Sequence, residues 1–271
     1  MDNVSVSHAI NVIESAEKNL RTVQWRITLR KGFLSDDKDS HSFTFFPHYY
    51  TKGKAILEPI SGRFRFDLDS VLHWIDGAAP YIATSEYVAF DGESTRSLTW
   101  TAHGTDLPDK SQEGPVREIK KGRDEKWFAG SGLNSGFDFA PPFFWGKRLS
   151  EFLKDALATN IPLKVLHGGD GIWTITTTDD EPESDLAIVY DLAKACVISA
   201  AWAGGDAQKV VWRRITVELQ NLQNGLFFPR LITMLNVLDR PANGYQLRFD
   251  DVTLNEAVGP EAYKIGFPEE Q

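Results

Sequence analysis

The hydrophobic pattern changes its period near the start of the chain. In residues 5–20 the apolar positions recur every three or four residues, which predicts an amphipathic helix. In residues 23–29 apolar and polar side chains alternate, which predicts a strand with one buried face. A second amphipathic helix is predicted for residues 147–159. The chain therefore combines a few helices with elements of strand period.

Most of the remaining sequence has the strand period and is interrupted by turn signals. Asp91-Gly92-Glu93 and the stretch 168–171 are typical hairpin connections. The predicted strands are residues 63–69, 81–90, 94–101, 163–167, 172–178, 186–190, 196–201, 208–222, 227–238 and 246–252. Together with residues 23–29 they give about ten or eleven strands. We predict a single α+β domain over residues 1–271: one large, curved antiparallel sheet with the helices in its concave face.

The alternating strands concentrate large apolar side chains on one face of the predicted sheet. Two helices are too few to cover so many strands, so we predict a partly filled apolar concavity that suits an elongated apolar ligand. The residues predicted to line it are Trp25, Ile27, Leu29, Phe64, Phe66, Leu68, Trp100, Trp173, Ile215, Val217 and Phe249. The alternative, that these side chains only fill a core, stays open at this point.

A loop before the second helix combines aromatic side chains with glycine and proline. Such loops commonly hold residues of binding sites. We predict that Phe137, Phe139, Phe143, Phe144 and Trp145 form an entrance or lid. A loop packed against the sheet edge would have the same composition.

Composition limits the partners and the chemistry. The net charge of −9, from 29 basic and 38 acidic residues, disfavours nucleic acid and anionic membrane surfaces. No apolar run approaches the length of a transmembrane helix. The one cysteine, Cys196, lies in an apolar run and is predicted to be a small buried side chain. The six histidines lack metal-ligand spacing and no nucleophile motif is present, so no catalytic residue, metal or cofactor is predicted.

The closing residues carry a family resemblance. An alternating strand runs to Val252, a turn follows, and Tyr263, Ile265 and Phe267 form a predicted short strand before Pro268. With Phe90-Asp91-Gly92 and the initial helix followed at once by a strand, this ending resembles the bacterial outer-membrane lipoprotein carrier-like half-barrel superfamily.

The resemblance implies an open half-barrel with helices in its mouth, which binds a lipid, an acyl chain or a lipoprotein anchor without catalysis. It also implies a periplasmic or envelope location. Residues 1–20 lack the apolar region of a signal peptide, so a cytoplasmic location stays open. Two other functions remain: an envelope-stress sensor that binds a protein partner through the same fold, and a hydrolase of envelope material.

Overall fold

The computed structural model describes residues 2–34, 43–72, 81–104, 115–124, 143–144, 147–177, 186–204, 210–222, 225–237 and 241–266. Two α-helices lie within them, α1 (Val6–Glu17) and α2 (Leu149–Ala158). Both match the predicted helices. In the described part of the chain, no helix has the length and apolar run needed to cross a membrane.

An open antiparallel sheet makes up most of the described structure. Its fourteen strands are β1 (Asp2–Val4), β2 (Val23–Leu34), β3 (Phe43–Leu57), β4 (Phe64–Leu72), β5 (Tyr81–Phe90), β6 (Ser94–Gly104), β7 (Val116–Lys121), β10 (Leu163–His167), β11 (Ile172–Thr177), β12 (Leu186–Asp191), β13 (Cys196–Gly204), β14 (Val210–Asn221), β15 (Phe227–Asn236) and β16 (Asn243–Leu254). Their order is β1-β10-β11-β12-β13-β14-β15-β16-β2-β3-β4-β5-β6-β7. The short strands β8 (Phe143–Phe144) and β9 (Lys147–Arg148) pair separately.

All the predicted strands that precede residue 255 are present, but three strands of the sheet were not predicted. The longest is β3, with 15 residues. Its sequence contains Pro47 and Gly53, which usually mark the ends of strands or irregular positions. At Gly53 a Cβ atom would lie 2.1 Å from the carbonyl oxygen of Asp67 on β4, so the close approach of two backbones explains the glycine. The other two, β1 and β7, are the edge strands of the sheet.

The predicted short strand after residue 262 is wrong in the part that the structure describes. The chain there forms a 3₁₀ turn, Pro260–Tyr263, and then an extended segment outside the sheet. Arg65 Nη1 donates to the carbonyl oxygen of Lys264 at 3.2 Å. A side chain therefore takes the bond that a neighbouring strand would have made. Phe267 and Pro268 lie outside the described residues.

The chain packs as two compact units. The first unit comprises Met1–Asn19, Lys31–Thr44 and Phe128–Arg248, and the second comprises Leu20–Arg30, Phe45–Trp127 and Phe249–Gln271. The assignment of the whole chain to a single domain stays a prediction.

Polar contacts join the two helices of the first unit. The buried stripe of α1 consists of Ala9, Ile10, Ile13 and Glu17. The Glu17 carboxylate accepts hydrogen bonds from the backbone N–H of Ser150, at 3.1 Å, and from its hydroxyl. A carboxylate at the first turn of α2 satisfies an N–H group that has no partner within that helix.

Aromatic side chains fill the core of the second unit. Trp25 contacts Phe249 edge to face, with ring centroids 5.4 Å apart, and its ring lies 6.3 Å from Phe66. Phe64 lies 5.3 Å from Phe66 and 6.1 Å from Phe90. Separations of this size are typical of stabilising aromatic pairs.

Candidate functional site

One row of directly opposed residues crosses the buried face of the first unit. We call it the central row, and its members are Val165, Ile175, Ile188, Ala200, Arg214 and Met234. Each is at most 4% exposed. At about 4.8 Å between neighbouring strands, five steps give a length of about 24 Å. The row is therefore a long buried strip that is apolar at every position except one.

Helix α1 lies next to the buried face. The His8 ring of α1 contacts Trp173 edge to face at a centroid distance of 6.2 Å. Trp173 is the direct cross-strand neighbour of Tyr190. Burial, together with the negative charge of Glu17 on α1, raises the pKa of Tyr190. Among the described residues the buried Trp173 Nε1 has no hydrogen-bond acceptor, so this face has an unused donor next to α1.

Arg214 is the exception in the central row. Its Nη1 donates to the Val197 carbonyl oxygen at 3.0 Å and to Thr216 Oγ1 at 3.3 Å. Its buried Nε has no partner in the described part of the chain. Burial lowers the pKa of Arg214 to about 10, so the side chain is still charged at neutral pH.

Cys196 interacts with this cation, and Tyr190 lies close to Cys196, but neither group neutralises the charge. Burial raises the pKa of the Cys196 thiol to about 11, and the charge of Asp191 acts in the same direction. The pKa of Tyr190 is raised as well, chiefly by burial. Both groups are therefore neutral at physiological pH and neither acts as a counter-ion.

In the second unit, most of the residues predicted to line a concavity are fully packed. Their exposed fractions range from 0% to 4% for Trp25, Ile27, Leu29, Phe64, Phe66, Leu68 and Phe249. They lie on one face, as the alternation predicts, and several of them form the aromatic core described above. Trp173 has an equivalent position on the buried face of the first unit, at 4% exposure. Their role in ligand binding stays a prediction.

The prediction that Trp100 lies on the same face as Phe66 is wrong. It pairs with Ser85, and Ser85 pairs with Asp69, whereas the buried Phe66 pairs with Val88. Cross-strand partners share a face, so Trp100 lies on the opposite side of the sheet from Phe66. There it packs against a cluster formed by Ala89, Leu98 and Ile265. The closing segment of the chain covers this tryptophan.

The prediction that Ile215 and Val217 line the buried face is also wrong. Arg214 opposes the buried Ala200 and Met234, so the next residue, Ile215, is directed to the other side. Val217 is 53% exposed, and the pairing of β14 with β15 is irregular at this position. A β-bulge of this kind leaves one residue without a cross-strand partner.

The predicted lid lies largely outside the described residues. That holds for Phe137, Phe139 and Trp145, while Phe143 lies in β8. Phe144 is only 2% exposed and contacts Phe152 of α2 edge to face at 5.2 Å. Phe144 is thus a packed residue in this structure, and an entrance role for the loop stays a prediction.

The second unit has an open cleft of about 600 Å³ on its polar face. Three cations and three carboxylates supply most of its lining: Arg26, Lys52, Lys54, Asp67, Asp69 and Asp250. Lys54 and Asp67 are direct cross-strand partners, with Nζ and Oδ2 3.7 Å apart. Since the charges balance locally, the cleft offers no strong field of one sign.

No cluster of three or more His, Cys, Asp or Glu residues in the described ranges has a geometry that could hold a metal ion. The functional candidate that the sequence analysis missed is Arg214, because the prediction that Ile215 lines the concavity directs its neighbour Arg214 to the opposite face. The sequence contained a clue to this, because Arg213 and Arg214 are consecutive. Successive residues of a strand point to opposite faces, so one of two adjacent arginines must lie on the buried face.

Comparison with known proteins identifies likenesses of fold. No family model matches the chain, and no curated protein matches its sequence. A DUF1329 family protein from Desulfovibrio piger is similar over 96% of this chain and 97% of its own, with 8% identity and a TM-score of 0.47. A putative outer membrane lipoprotein-sorting protein domain from Vibrio parahaemolyticus is similar over the same shares, with 6% identity and a TM-score of 0.48.

A third structure is a beta-barrel-like protein of the DUF1849 domain from Brucella abortus. It covers 88% of this chain and 99% of its own, with 13% identity and a TM-score of 0.30. The kind of protein that the closing residues resemble is thus among the structural likenesses.

Proposed function

We propose that this protein binds a lipid or acyl chain along the central row of the first unit and does no chemistry on it. The proposal rests on the burial, the apolar character and the length of the central row. It presents a buried, nearly continuous apolar strip whose length of about 24 Å is on the order of an extended fatty acyl chain. A compact or polar ligand would not need a strip of this length.

The side chains of the row are already buried against other parts of the protein. Binding would therefore exchange an internal contact for a contact with the ligand. Helix α1 is the described element next to Trp173, and we propose that it moves when the ligand enters. Each methylene transferred from water contributes about 0.8 kcal/mol. A chain of ordinary length can therefore offset the cost of displacing part of one amphipathic helix.

A role in carrying lipids or lipoprotein anchors in the bacterial envelope is the finer form of the proposal. It derives from the resemblance of the closing residues and of Phe90-Asp91-Gly92 to the lipoprotein carrier-like superfamily. The apolar character of the row supports the ligand class, and the resemblance supplies the location.

The test uses dodecanol, a neutral amphiphile, and measures its binding by native mass spectrometry and calorimetry. Ala200 is in the middle of the central row, and the adjacent Ala201 faces the other side of the sheet. We expect Ala200→Val to weaken binding by at least about 10-fold, since the two added methyl groups occupy ligand space in a closely packed site. The matched variant Ala201→Val should bind like the unchanged protein.

Circular dichroism and thermal unfolding establish that both variants are folded. Failure of the unchanged protein to bind dodecanol would refute the proposal. Equal effects of the two valine variants would place the ligand elsewhere.

A further inference from the structure

Arg214 is the only charged member of the central row. It is 3% exposed, and its direct cross-strand neighbours Ala200 and Met234 are 2% and 4% exposed. A charge in such surroundings is costly unless a partner of opposite sign neutralises it. The described part of the chain contains no ion pair to Arg214, so its partner has to be sought outside those residues.

The hydrogen bonds of Arg214 leave one edge of the guanidinium unused. Nη1 donates to the Val197 carbonyl oxygen at 3.0 Å and to Thr216 Oγ1 at 3.3 Å, which fixes the orientation of the group. Nε is buried and, among the described residues, has no acceptor. Because guanidinium nitrogens bind carboxylate and phosphate oxygens in pairs, an oriented edge with a free Nε is suited to such an anion.

A purely structural role does not explain this arrangement. An apolar side chain of similar length would fill the same volume beside Ala200 and Met234 without burying a charge. The neutral thiol of Cys196 offers no compensation, as its raised pKa of about 11 shows. The overall charge of −9 disfavours anions near the surface, so an anion-binding site in this protein requires a specific local cation.

We propose that Arg214 is the anion subsite of the apolar site, and that the ligand is a single-chain amphiphile with an anionic carboxylate or phosphate head. The Nε edge of Arg214 binds the anionic oxygens, and the chain lies along the central row. This inference rests on the proposed function and narrows it: neutral lipids bind through the chain alone, and anionic ones bind more tightly.

The test compares three ligands with the same chain: dodecanol, dodecanoate and dodecyl phosphate. In the unchanged protein we expect at least one of the two anions to bind about 10- to 100-fold more tightly than the alcohol, the range for a hydrogen bond to a charged group. Arg214→Met should abolish this preference, so that dodecanoate and dodecyl phosphate bind no more tightly than dodecanol does to the same variant. The control Arg213→Met changes an exposed neighbour and should keep the preference.

Arg214→Lys is a second variant that retains the charge without the Nε edge, and we expect it to keep a weakened preference for the anion. Which anion binds more tightly shows whether the natural head group is a carboxylate or a phosphate. Binding of dodecanol with no anion preference in the unchanged protein would overturn the subsite and leave the apolar site intact. Absence of dodecanol binding would instead refute the proposed function.

Discussion

Replacement of Phe249 by alanine tests whether the aromatic face of the second unit is a packed core. Phe249 is 0% exposed and contacts Trp25 edge to face at 5.4 Å. Both belong to the set predicted to line a ligand concavity. In a packed core, truncation leaves a void that neighbouring rings cannot fill. In an open cavity, the same truncation would mainly enlarge a space already filled by ligand or solvent.

The structure predicts a large loss of stability. Buried Phe→Ala substitutions cost about 3–5 kcal/mol, a large share of the roughly 5–15 kcal/mol that stabilises a typical protein. For a chain of this size the midpoint of thermal unfolding should fall by about 10 °C. The loss of the edge-to-face contact with Trp25 is included in these figures.

Urea unfolding, followed by circular dichroism and tryptophan fluorescence, measures the change. The control is Val217→Ala, from the same predicted set but 53% exposed, and it should change the free energy of unfolding by at most about 0.5 kcal/mol. A loss below about 1 kcal/mol for Phe249→Ala, together with weaker lipid binding, would refute the packed-core interpretation.

Three further predictions concern other parts of the molecule. Burial raises the pKa of Glu17, so the folded state holds its proton more tightly than the unfolded state. Urea unfolding over a pH series measures the difference in the free energy of unfolding between the unchanged protein and Glu17→Gln. The advantage of the unchanged protein should be greatest below about pH 4.3. It should fall as the pH rises through the raised pKa of Glu17 and then level off. Gly53→Ala should lower the free energy of unfolding by about 1–3 kcal/mol because its Cβ would collide with backbone, whereas Gly259→Ala, with open space around it, should be tolerated. Cys196 is buried and its pKa is raised to about 11, so alkylation followed by mass spectrometry should be slow in native protein at pH 8 and fast in urea.

Each of these predictions has an opposing outcome. A pH-independent difference between the unchanged protein and the Glu17 variant would mean that the carboxylate titrates normally. Equal effects at the two glycines would contradict the close approach of β3 and β4 at Gly53. Rapid native alkylation of Cys196 would show that the buried face opens readily to solvent.

The hairpins could be read from the sequence because local chemistry encodes them. Asp91 Oδ1 accepts hydrogen bonds from the backbone N–H groups of Glu93, at 2.8 Å, and Ser94, at 2.9 Å, and Gly92 adopts a φ of 111°. Aspartate and glycine supply these features wherever they occur in a turn. The alternation that follows fixes strand type as well, because successive side chains point to opposite faces.

The faces of Trp100 and Arg214 could not be read in the same way. The alternation indicates that neighbouring residues along a strand point to opposite faces of the sheet. It does not indicate which of the two faces is buried. Trp100 is covered by the closing segment on the face opposite Phe66. Arg214 is buried because it shares a face with its cross-strand partners Ala200 and Met234, and that face is buried.

The sequence alone determined the two helices, most of the strands and the hairpin turns, since each depends on residues close together in the chain. The one-sided strands also led to the prediction of an apolar ligand, which stays a prediction. The tertiary structure decided which strands are neighbours, which face each buries, and that one arginine lies in the apolar row. Those properties depend on contacts between residues far apart in sequence, such as Ala200, Arg214 and Met234, and no local pattern encodes them.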